Sequence, residues 1–155
     1  MIETGTRVPR QRKPLRLIAA EPDDVPIVSA ALQDAVAQLR DVQWDRRARR
    51  FTIAANRFRW EDGKSGPGWR VRAALDIGSV LSVKSSKVKQ DAPGAVVSIL
   101  AIVFETGDAP GGAIRIELSG GGSIRVAVEC VDLLLADVSE PWRASGRPDH
   151  GGSDA

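Results

Sequence analysis

Six arginines fall between positions 46 and 59, at Arg46, Arg47, Arg49, Arg50, Arg57 and Arg59, interleaved with Trp44, Phe51, Phe58 and Trp60. A guanidinium binds carboxylate or phosphate through a planar fork and stacks on aromatic rings, so a hairpin displaying both types grips an anion. The candidates for ligand or partner binding are therefore these six arginines and Trp60. The competing account leaves the turn arginines solvated and pairs Arg57 and Arg59 with carboxylates at the core edge, where surface ion pairs contribute little.

Other chemistry finds few residues to work with. The one histidine, His150, lies near the C-terminus, where a Ser-His-acid or Cys-His arrangement would rest on an unpositioned base. Cys130 ends an apolar run and reads as a small buried hydrophobe, with no neighbouring positive charge to lower its pKa. No Cys or His pair has metal-ligand spacing, and the carboxylates at Glu21, Asp23, Asp24 and at Asp132, Asp137, Glu140 sit where helix ends are expected. Gly63-Lys64-Ser65 resembles the end of a phosphate loop, but Phe58 stands where its first glycine belongs and Gly66-Pro67-Gly68 forbids the helix that must follow. No catalytic residue, metal site or cofactor is expected.

The elements that must position the arginines follow from periodicity. Leu15 to Ala20 reads as a strand. Val25, Val28, Leu32, Ala35 or Val36, and Leu39 recur at helical spacing, predicting a helix from about Asp23 to Leu39. Val42 to Asp45 is expected to pair with Arg50 to Trp60. Within that second strand Phe51, Ile53 and Ala55 share one parity while Phe58 and Trp60 take the other, predicting a bulge near Asn56. Trp69 to Leu75 and Ser79 to Ser85 are strands, and Ala95 to Glu105, apolar on both parities, reads as a central one. Ala113 to Ser119 and Ser123 to Cys130 form a hairpin whose expected register sets Leu118 opposite Ile124 and Glu117 opposite Arg125, an attractive pair. Val131, Leu134, Leu135 and Val138 predict a short C-terminal helix closed by Pro141.

The chain has 155 residues, is 43% apolar and 27% charged, and carries a formal +2. Those values suit one globular domain over 14–142, flanked by a disordered basic arm, 1–13, and a disordered tail, 143–155. The arm holds Arg7, Arg10, Arg12 and Lys13 against Glu3, a local +3, so the remainder carries −1. A near-neutral body argues against a nucleic-acid binder, which is normally strongly basic throughout. No apolar run reaches the ~18 to 20 residues that span a bilayer, and no secretion signal is evident, so a cytoplasmic protein without membrane insertion is expected.

The segments Leu15-Arg16-Leu17-Ile18-Ala19-Ala20, Leu32-Gln33-Asp34-Ala35, Asn56-Arg57-Phe58-Arg59-Trp60-Glu61 and Ile124 to Asp132, in that order, resemble an uncharacterised alphaproteobacterial family, domain of unknown function 2948. The resemblance covers about Leu15 to Pro148 and implies a bacterial cytoplasmic protein, with no activity or site to carry over. The element order is also similar to that of the pleckstrin-homology-like barrel. The expected fold is α+β: a largely antiparallel, curved sheet or partial barrel of seven to eight strands, an N-terminal helix and a short C-terminal helix. The expected function is a non-catalytic module that binds a protein or small anionic ligand through the arginine and aromatic hairpin. Nucleic-acid binding, or an enzyme relying on Asp, Glu and Arg alone, are the alternatives. A sheet edge at Val42 or Ala113 offers a route to a homo-oligomer.

Overall fold

A computed structural model describes residues 13–63, 66–89 and 91–145. Its strands are β1 (Arg16–Ala19), β2 (Val36–Gln38), β3 (Val42–Asp45), β4 (Arg50–Phe58), β5 (Trp69–Ile77), β6 (Val80–Ser86), β7 (Val96–Thr106), β8 (Gly112–Leu118), β9 (Ser123–Val128), β10 (Leu133–Asp137) and β11 (Trp142–Arg143), with one α-helix, α1 (Val25–Ala31). The strands make an 11-stranded antiparallel sheet in the order β1-β10-β5-β4-β2-β7-β8-β9-β6, with β3 added to β4 and β11 to β5. The sheet curls around one core. Phe51, Ile53 and Ala55 of β4, Leu75 and Ile77 of β5, Ile114 and Ile116 of β8, Ile124 and Val126 of β9, Leu135 of β10 and Val25, Val28 and Leu32 of α1 are all buried in it.

This architecture corrects the expected seven to eight strands and two helices, and with them the pleckstrin-homology-like order. The predicted N-terminal helix is right in its first half, where Asp24 accepts from the amides of Ala20 and Glu21 at 3.0 and 3.1 Å. It ends early because Asp34 turns left-handed (φ 64°) and the backbone leaves to pair with β7, the Asp34 amide donating to Ile99 O at 2.8 Å. Residues 36–38, expected in the helix, are β2.

The predicted C-terminal helix is instead β10. Leu135 lies opposite Leu17 of β1 on one side and Leu75 of β5 on the other, so the segment is apolar on both parities because it is a central strand. Five residues of that kind do not distinguish helix from strand by periodicity. Conversely β7, expected to be covered on both faces, leaves Val96, Leu100 and Val103 exposed.

Two register expectations also fail. No bulge interrupts β4, which pairs with β5 without a shift from Phe51↔Ile77 to Phe58↔Arg70. The inward parity is continued by Arg57, a charged side chain in a core position. In the β8–β9 hairpin Ile116, not Leu118, faces Ile124, and Arg115 faces Arg125. That juxtaposition is tolerated because Glu105, on β7, bonds both guanidiniums, and Glu117 bonds Arg115 as well.

Candidate ligand-binding cleft

The six arginines are placed in three environments. Arg57 is fully buried and all of its guanidinium nitrogens are engaged. Nε and Nη2 donate to Asp137 at 2.9 and 3.0 Å, Nη1 and Nη2 to Glu61 at 3.1 and 2.7 Å, and Nη1 also to the Phe58 carbonyl at 3.2 Å. Asp137 in turn accepts the Leu15 amide at 2.8 Å, so one guanidinium ties β4, β10 and the start of β1 together. Burial alone would lower the Arg57 pKa; its bonds to Glu61 and Asp137 reverse this and hold the charge more firmly than in water. Burial alone would raise Glu61, but the bonds from Arg57 hold its carboxyl below the usual range.

Arg59 is 2% exposed and forks onto Asp62, at 2.9 and 3.3 Å. Trp60 packs against Phe58 with ring centroids 4.8 Å apart and donates its indole N–H to Gln33 O at 3.3 Å. Arg49 and Arg50 sit at the base of the β3–β4 turn, half-exposed, Arg49 paired with Glu129 at 2.5 Å and Arg50 with Asp76. Arg46 and Arg47 occupy the exposed tip and have no ion pair among the described residues. The structure therefore separates the hairpin arginines: two lie within the body, two brace the turn and two face solvent.

The other face of the same hairpin borders a cleft of about 740 Å3. Val42 and Trp44 of β3 line it, with Phe51 of β4, Val83, Lys84 and Ser85 of β6, Ile124 of β9, and Leu39, Arg40, Val88 and Pro93 from the adjoining turns. Both flanking strands are edges: β3 pairs with β4 alone, and β6 with β9 alone. At one end the strands are joined where the Val80 amide donates to Arg49 O at 3.0 Å and Arg49 Nε to Val80 O at 3.3 Å. Beyond the other end, the Leu39 and Arg40 amides donate to Ala95 O and Pro93 O, each at 2.9 Å. Since β3 runs toward the first junction and β6 away from it, the two edges are antiparallel across the opening.

The volume falls within the 300–1,000 Å3 typical of small-ligand sites, and the lining is mainly apolar with cations at its border, the usual chemistry of such sites. Exposed Arg40, Lys84, Lys87 and Lys89 have no ion pair among the described residues. Sequence reasoning found Trp44 and Phe51 but passed over Arg40, Val83, Lys84 and Val88. The available signal was the spacing Lys84, Lys87, Lys89 at a strand's end, with Asp91 as the one acid among residues 84–95. Cys130, expected to be buried in a strand, lies beyond β9 and is half-buried. His150 lies outside the described residues, as do nearly all of the expected arm and tail. Among the described residues no helix is long and apolar enough to cross a membrane.

No curated protein and no solved structure matches this chain. A family model does match, over residues 15–150, nearly the whole of the described body, and its description is a protein of unknown function. On that span the chain belongs to the DUF2948 family.

Proposed function

We propose that the protein is a non-catalytic binding module whose site is the cleft between β3 and β6, taking a ligand or partner segment with an apolar body and negative charge. The observation that carries this reading is the partial exposure of four apolar side chains, Val42, Trp44, Val83 and Val88, each half-buried against the core, in a concavity bordered by cations with no ion pair among the described residues. A half-buried tryptophan beside guanidinium and ammonium groups supplies a rigid apolar contact, and the cations supply charge recognition. Arg46 and Arg47, at the exposed turn tip, add positive charge to the same hairpin. The buried Arg57 and Arg59 contribute by holding the strands that frame the hairpin.

Anilinonaphthalene sulfonate, an aromatic body with one sulfonate, is a suitable probe. The folded protein is expected to bind it saturably, with Trp44→Ala and Arg40→Ala each weakening the affinity roughly tenfold, equivalent to ~1.4 kcal/mol. Circular dichroism on each variant establishes that the fold is retained. Absence of saturable binding, or wild-type affinity in both variants, would overturn the assignment of the cleft.

A further inference from the structure

We infer that the occupant of the cleft is an extended acidic segment of another polypeptide, added to the open edge of β6 as a further antiparallel strand. This rests on the cleft being the binding site and goes beyond it by assigning the ligand's chemical class.

The first support is geometric. β6 is the terminal strand of the sheet order, seven residues long and paired only through β9. An edge strand offers backbone N–H and C=O groups to an incoming chain, and main-chain pairing is how extended peptides are commonly held. Along β6, Val83 and Ser85 pair with Val126 and Ile124, both buried, so these two share the face turned to the cleft floor. Lys84 pairs with Arg125 and so lies on the opposite face.

An added strand inherits that alternation, because opposed residues share a face. Its side chains on one parity enter the cleft beside Val83, over Phe51 and Ile124. Those on the other lie beside Lys84. The matching segment therefore alternates apolar with acidic residues.

Charge selects the occupant further. Lys84 and Lys87 would face like charge in a second copy laid on the same edge, which is how edge lysines discourage self-pairing. An acidic strand meets those cations as complements.

The test uses the full chain and a fluorescein-labelled seven-residue peptide alternating valine and glutamate, matched to the seven residues of β6, read by fluorescence anisotropy. Two analogues carry N-methyl groups on one or the other alternate set of backbone nitrogens. One analogue is expected to lose at least tenfold in affinity while the other binds as the parent does, because only one set of amides faces β6. Lys84→Glu combined with Lys87→Glu is expected to weaken the acidic peptide and strengthen one alternating valine and lysine; both positions are exposed, so the fold tolerates the change. Equal binding of both methylated analogues would overturn strand addition. So would binding of the sulfonate probe without the peptide, which leaves the cleft reading standing. Failure of both the sulfonate probe and the peptide would overturn the two readings together.

Discussion

Arg57 shows how much a single residue type can conceal. By parity it belongs with Phe51, Ile53 and Ala55, and it is buried as they are, but its charge breaks the apolar alternation from which strand faces are read. Its solvation is replaced by two carboxylates and a carbonyl, and the fully buried Asp137 relies on it for charge compensation. Removing one partner of such a buried pair strands the other, at a cost of about 3–5 kcal/mol. Arg57→Met is therefore expected to lower the urea midpoint by a corresponding amount, whereas Arg57→Lys keeps the charge but not the fork and should fall between Met and wild type. If Arg57→Met unfolded at the wild-type midpoint, the Asp137 network would not be holding β1, β4 and β10 together. The tip arginines, Arg46 and Arg47, have no ion pair among the described residues, so their substitution is expected to leave the urea midpoint unchanged.

At the scale of the element, the β8–β9 hairpin adopts the register that pairwise charge argues against. Sequence comparison of two strands sees Arg115 against Arg125; it does not see Glu105, which arrives from β7 and bonds both. Both registers keep the same buried side chains on one face, so the turn sets the observed one: the Leu118 amide donates to Gly122 O at 2.9 Å, Ile114 then meets Val126 and Ile116 meets Ile124, and exposed charge adjusts to it. Glu105→Gln is accordingly expected to lower thermal stability by leaving two guanidiniums opposed, and adding Arg125→Thr should recover part of the loss. A double-mutant cycle in which the two changes simply add would contradict this bridging role. The same reasoning explains β10: a run of four apolar residues has no helical or extended identity until strands stand on both sides of it.

For the whole molecule, the decisive feature is that the curled sheet leaves an opening where β3 and β6 face each other. Strands paired on one side only should open more readily than those paired on both. Hydrogen exchange by mass spectrometry is expected to show β3 and β6 exchanging ahead of β4, β5 and β8, with bound sulfonate probe or peptide slowing the first pair selectively. Uniform exchange across these strands would argue against an open edge. The sequence by itself determined the strand-rich character of the chain, the start of the N-terminal helix, the β3–β4 hairpin and the aromatic side chains on it, because these depend on local periodicity and turn chemistry. Only the tertiary structure decided that Arg57 and Arg59 turn inward, that the C-terminal apolar run is a strand, and that Arg40 and Lys84 border the same cleft as Trp44. Those outcomes depend on which strands become neighbours. Partners such as Asp137, 80 residues from Arg57, leave no mark on the local pattern, since the free energy of a buried charge or a sheet position belongs to the assembled surroundings.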